Sequence, residues 1–356
     1  MTRVALLLAL LPTAFLLAES PRPAAPPVAP VRAADAPIKV GIIGLDNFQT
    51  VAFTQLFHAP KAADNLSGLK VVAAFPAGSA DIEESVTNLP KWEEQIKKMG
   101  VEVLKTPEEV IKQCDVILLM SVDGRAHLEQ LKPILKAGKP VYVGRPLAAS
   151  LADAVEIYRL AAEHKTPIFT CSQHRFSPGF IGMRNHPEVG DVLGADVYGG
   201  APREAHHPDL YWHAIHGIET LYTIMGPGCV SVTRTSTETA DVVTGEWKDG
   251  RVGTYRGIRK GAPKYSATVF GSKGVSTAGV YGHGVPVKGV VPTNDKYMGY
   301  EGVAIEIVKF FKTGKSPVSA EETIELFAFM EAAEESKRQK GAPVKLADVL
   351  AKARKK

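Results

Sequence analysis

The sequence predicts an α/β protein. An N-terminal Rossmann-like, doubly wound parallel sheet is followed by an α+β domain with an open, mainly antiparallel sheet. Three observations predict it. Beyond residue 37, short apolar runs alternate with helical patterns. The first run, Lys39 to Gly44, passes straight into a turn and a helix. After residue 172, β-rich runs joined by turn signals take over.

Val71 to Phe75, Val101 to Leu104, Val116 to Met120, Val141 to Val143 and Ile168 to Thr170 are apolar throughout and predict buried strands. Helical patterns separate them at Gln49 to Phe57, Ile82 to Met99 with a break at Pro90, Pro107 to Gln113, Ala126 to Lys136 and Ala149 to His164. Strands apolar on both faces belong in a parallel sheet covered on both sides. This defines a dinucleotide-binding type of domain at 38–172 and a substrate and oligomerisation domain at 173–356. In the second domain, Asp209 to Met225 predicts one long helix, stopped by Gly226-Pro227-Gly228. Strands follow at Val230 to Glu238, Asp241 to Trp247, Arg251 to Ile258 and Tyr265 to Phe270, with Lys248-Asp249-Gly250 as a hairpin turn. Helical periodicity returns at 299–313 and 320–338, and these helices are expected to pack back on the first domain. Gly282 to Lys296, rich in glycine and proline, predicts a mobile loop.

The chain has 356 residues, 45% hydrophobic and 22% charged, which suits two soluble domains. Its net charge of +4, from 42 basic and 38 acidic residues, argues against nucleic acid as a partner. Arg3 followed by the apolar run Val4 to Ala18 predicts a signal peptide over 1–20 and an exported, periplasmic or extracellular protein. Pro12 and the short length argue against a spanning helix, though an uncleaved segment would anchor the chain in a membrane. Residues 21–37, rich in Pro and Ala, predict an extended linker. Cys114, Cys171 and Cys229 give an odd count without close pairs, and thus no disulfide framework.

The turn after the first strand sits where a G-x-G-x-x-G fingerprint would lie. Only Gly44 is glycine; Asp46 and Gln49 hold the other two positions. The second glycine normally lets the backbone approach a pyrophosphate, so Asp46 brings a side chain and a negative charge toward two phosphates. The chain nonetheless resembles the Gfo/Idh/MocA (glucose-fructose oxidoreductase / inositol dehydrogenase) family over nearly all of 38–352. The resemblance rests on the strand KVGIIG, on His127 within SVDGRAHLEQLKPILKAGKPVYV, on Gly144-Arg145-Pro146 where the family has Glu-Lys-Pro, and on His216-Gly-Ile-Glu219 with Gly226 seven residues later.

The resemblance implies NAD or NADP as cofactor and a sugar-like small-molecule ligand. It also implies a homo-oligomer formed through the C-terminal sheet. The implied cofactor residues are Gly44, Leu45, Asp46, Asn47, Asp123, Gly124, Arg145 and Pro146. The implied catalytic group is His216, Glu219 and Arg145. Arginine does not usefully lose its proton, so Arg145 suits orientation better than base catalysis. His216 is the better proton acceptor, and Glu219, one helical turn on, is placed to fix its tautomer. The second strand ends in Phe75-Pro76, with no acid there for an adenosine ribose. Substrate-side candidates are Arg175, Gln173 and His174 after the last parallel strand, together with Tyr211, Trp212 and His213. The histidines at 206, 207, 213 and 216 predict polar pocket lining and no metal. Two other readings stay open: an exported carbohydrate-binding accessory protein without redox turnover, and a non-redox or NAD-assisted lyase or hydrolase.

Overall fold

The computed structural model describes residues 36–60, 62–184, 186–261, 264–279 and 299–355. The N-terminal apolar run, the linker up to residue 35 and the 282–296 loop lie outside these residues. Both sheets fall in one compact unit that begins at Pro37.

The first sheet holds β1 (Ile38–Ile43), β2 (Leu69–Phe75), β3 (Glu102–Val103), β4 (Val116–Leu119), β5 (Val141–Val143) and β6 (Ile168–Thr170). All pairings are parallel, in the order β3-β2-β1-β4-β5-β6. The order reverses between β1 and β4, which puts a crevice at the carboxyl ends of those strands. Alternate residues face opposite layers. Ile42, Leu118, Tyr142 and Phe169 belong to one core, which helices Gln49–His58 and Glu301–Thr313 complete. Ile43, Ile117, Leu119 and Val141 belong to the other, with helices His127–Lys136 and Leu151–Glu163. Each fully buried large apolar side chain contributes about 1.5–3 kcal/mol.

Local signals set the helix ends. Thr106 and Glu109 form a reciprocal capping box on helix Pro107–Gln113. Ser150 and Ser319 cap the helices that follow them. Helix Glu83–Lys98 runs unbroken through Pro90, against the expectation of a break there. A mid-helix proline costs about 3 kcal/mol, and burial of Trp92 and Ile96 on the same helix offsets it.

The second sheet holds β7 (Val192–Gly200), β8 (Cys229–Ser236), β9 (Ala240–Trp247), β10 (Val252–Ile258), β11 (Ser266–Gly271), β12 (Val275–Gly279) and β13 (Val344–Lys345). Its order is β12-β11-β7-β10-β9-β8-β13, and only β7 with β10 is parallel. The hairpin at 248–250 forms as expected, with Gly250 at φ 84°. β7 was not expected, because three glycines dilute its pattern. Two of them are required by space: a Cβ at Gly194 would lie 2.8 Å from the Val252 carbonyl, and one at Gly199 would strike the Tyr265 ring.

The long helix expected at 209–225 starts instead at Ile215. Asp209–Tyr211 is a separate tight turn. Arg234 and Lys337 hold the Asp209 carboxylate at 2.8 and 2.6 Å, and Trp212 is drawn into a cluster with Ile82 and Val122. These tertiary contacts override the helical periodicity.

Candidate active site at the mouth of the parallel sheet

The carboxyl ends of β5 and β6 deliver Arg145 and Ser172 to one place. Helix Ile215–Met225 of the second domain delivers His216 to the same place. Ser172 Oγ lies 2.6 Å from His216 Nδ1 and also accepts the His174 N–H. The His174 ring packs 4.9 Å from that of His216 and 4.4 Å from that of Tyr265. His213 reaches Glu84 at 3.2 Å, and the Gln49 amide donates to Gln173 Oε1. Burial pushes His216 well below the usual imidazole range, and the charge of Arg145 and the neighbouring His174 and His213 add to it. His174 is pushed down to about 3 by burial and by Arg145. Both rings are therefore neutral near pH 7. With Nδ1 of His216 engaged by Ser172, Nε2 is the nitrogen left for a ligand.

Several expected roles do not survive the geometry. Glu219 makes no hydrogen bond to His216. It pairs with Arg175 in the protein interior, and Arg175 also reaches Glu322 at 2.7 Å. Arg175 is thus a buried structural cation and not a pocket residue. The reason is reach: His216 and Glu219 share a helix, but the short turn Gln173–Phe176 presents its guanidinium to Glu219 first. Tyr211 is fully buried in the core against Phe327, with its hydroxyl on Glu331. Trp212 packs on Ile82, Val122 and His207 and offers no face for stacking. Ser172, Glu84 and Tyr265 were not foreseen. Ser172 carried one signal, its place just past the last parallel strand; the other two come from distant segments.

The turn after β1 departs from expectation in a different way. Gly44 has φ +95°, and a Cβ there would lie 2.2 Å from the Ser121 nitrogen, so glycine is required. Leu45 is a core side chain. Asn47 accepts the Gln49 N–H, while its buried Nδ2 has no partner. Asp46 is fully buried and spans two loops. Its Oδ1 accepts the Val122 N–H at 3.0 Å, and its Oδ2 accepts the Ser85 hydroxyl at 2.7 Å. Burial pushes its pKa up to about 6, with those two hydrogen bonds opposing. Beside it, Ser79 donates to Asp123 at 2.6 Å, and Arg125 joins Asp123 to Asp81. His207 Nε2 lies 3.1 Å from Asp123. Gly124 packs against the 145–148 loop, where a Cβ would sit 2.9 Å from Pro146 Cγ. His127 sits between the Pro146 and Ser121 carbonyls and fixes the two loops together.

Residues 38–171 match the Gfo/Idh/MocA family, described as an oxidoreductase family with an NAD-binding Rossmann fold. Over these residues the chain is similar to this family. Among curated relatives it is 24% identical, over 206 residues, to the galactose/lactose metabolism regulatory protein GAL80 of Saccharomyces cerevisiae, covering 54% of this chain and 45% of that protein. It is 27% identical over 148 residues to inositol 2-dehydrogenase of Cereibacter sphaeroides, covering 41% and 40%. The chain thus spans less than half the length of these curated relatives. The fold is shared with scyllo-inositol dehydrogenase of Lactobacillus casei, solved with NAD(H) and scyllo-inositol, at TM-score 0.66 and 16% identity over 87% of this chain and 99% of that one.

Within a Gfo/Idh/MocA fold, the pyrophosphate seat lies over the β1 turn. In this chain the loops after β2 and β4 are joined across that turn by Asp46, Ser79, Asp81, Asp123 and Arg125. Ile82, Val122 and Trp212 fill the space beside them. The loops that flank the turn are tied to one another by these contacts. Among the described residues, no group of His, Cys, Asp or Glu is placed to hold a metal.

Proposed function

We propose that this chain is an oxidoreductase of the Gfo/Idh/MocA type, acting on a sugar-like small molecule held at the mouth of the parallel sheet, with NAD or NADP as its nucleotide. The observation that carries the reading is the convergence of Arg145, Ser172, His174, His213 and His216 at that mouth, on a family scaffold. Ser172 orients the His216 imidazole, whose Nε2 can hold or accept a hydroxyl proton of the ligand. Arg145 can orient an oxygen but not remove its proton. A nucleotide seated at the β1 turn would lie beside the bridges made by Asp46, Asp123 and Arg125. Export, supported by the apolar run at Val4 to Ala18, and assembly through the open face of the second sheet complete the proposal.

A second reading, ligand binding without turnover, is favoured by those same bridges and by arginine in the family's lysine position. The similarity to a regulatory protein supports it as well. Calorimetric titration of the purified chain with NAD(H) and NADP(H) separates the two. Binding at submillimolar concentration is the outcome expected of the oxidoreductase. Sugar binding without nucleotide binding would leave only the second reading.

A further inference from the structure

Arg145 is a cation in the wrong place for a resting protein. It is 7% exposed, yet no ion pair or hydrogen bond to any described residue holds its guanidinium. Its Nε and Nη1 are buried without a partner. Among the described residues, the two other buried arginines are paired. Arg175 has Glu219 and Glu322, and Arg234 has Asp209, Asp241 and Glu334. Arg145 has none. The groups around it are Glu84, Tyr142, Tyr265, Tyr300 and the histidines at 174, 213 and 216. Glu84 lies in its field but is bonded to His213. The three imidazoles have their pKa values lowered and bring no negative charge.

An isolated buried charge costs several kcal/mol and is retained where something neutralises it. Guanidinium is a planar fork that matches a carboxylate with two parallel hydrogen bonds. We propose that the ligand at this mouth carries a carboxylate, which Arg145 binds in bidentate fashion, so that the ligand is a sugar acid or related hydroxy acid and not a neutral polyol. The inference rests on the reading that the mouth is the ligand site. It does not need nucleotide binding or turnover.

The experiment is a melting-temperature and calorimetric titration of the full chain with matched pairs at constant ionic strength: D-glucuronate against D-glucose, D-gluconate against sorbitol, and inorganic phosphate as a separate anion. At least one carboxylate should raise the melting temperature and bind at least tenfold more tightly than its neutral partner. Arg145→Met should lose that binding about a hundredfold or more, since two charge-assisted hydrogen bonds go. Arg145→Lys should recover only part of it. Equal binding of acid and neutral partner overturns the proposal, as does a carboxylate effect that survives in Arg145→Met, or no response to any carboxylate. A response to phosphate alone also overturns it. Should Arg145→Met fail to fold, the wild-type comparison of acid with neutral partner decides the matter. The two readings fail separately. Acid binding without NAD(H) binding removes redox turnover and keeps this inference, and binding of NAD(H) with neutral polyols does the reverse.

Discussion

A single carboxylate shows how this chain reuses a position. Asp46 stands where the fold usually has a glycine, yet its charge is turned inward. Its native pKa of about 6 lies above the ordinary aspartate value of 3.8. The folded state therefore binds its proton more tightly than the unfolded chain. The resulting contribution is fully present below pH 3.8 and is lost as pH rises to about 6, a change of about 3 kcal/mol from the pKa difference. Asp46→Asn keeps an acceptor for the Val122 N–H and removes the titration. Urea denaturation at pH 4.5 and pH 7.5 should show a larger fall in stability with pH for the wild type than for Asp46→Asn. Equal slopes would mean that Asp46 does not titrate in this range.

Among the elements, the tie at the domain junction is ionic. Arg175 joins the short turn Gln173–Phe176 to helices Ile215–Met225 and Ala320–Arg338 through Glu219 and Glu322. Arg175→Met leaves the buried Glu219 and the partly buried Glu322 unpaired and should cost about 3–5 kcal/mol by urea denaturation. Arg175→Met with Glu219→Met should recover a substantial part. A loss under 1 kcal/mol in the single variant would show the triad to be solvated in solution. This junction also marks the limit of what was legible in the sequence. The six strands of the first sheet were visible as short apolar runs, and β4, β5 and β6 are buried on both faces. The family positions at 145 and 216 were visible from order and spacing. The partners of 219, the burial of Tyr211 and Trp212 and the loop bridges were not, because each is decided by a segment far away in the chain. Helical spacing offered Glu219 to His216, and only the folded turn after β6 shows that Arg175 claims it.

For the whole molecule, the seven-stranded sheet covers one face with helices Ile215–Met225 and Ala320–Arg338, and among the described residues no helix packs on the other. Tyr198, Val252, Phe270 and Val275 are exposed along it. Large exposed apolar patches mark interaction surfaces. Light scattering behind size exclusion should report a homo-oligomer, and Val252→Glu with Phe270→Glu should shift it toward monomer while the fold is kept. A monomer at micromolar wild-type concentration would exclude this face as a stable interface.

Helix Glu301–Thr313 completes the core under β1, β4 and β5, although about 130 residues separate it from the last strand of that sheet. Val40, Leu118 and Phe169 therefore owe part of their shelter from water to a segment far along the sequence, and loss of that one helix would bare the apolar face of a sheet to which it contributes no strand.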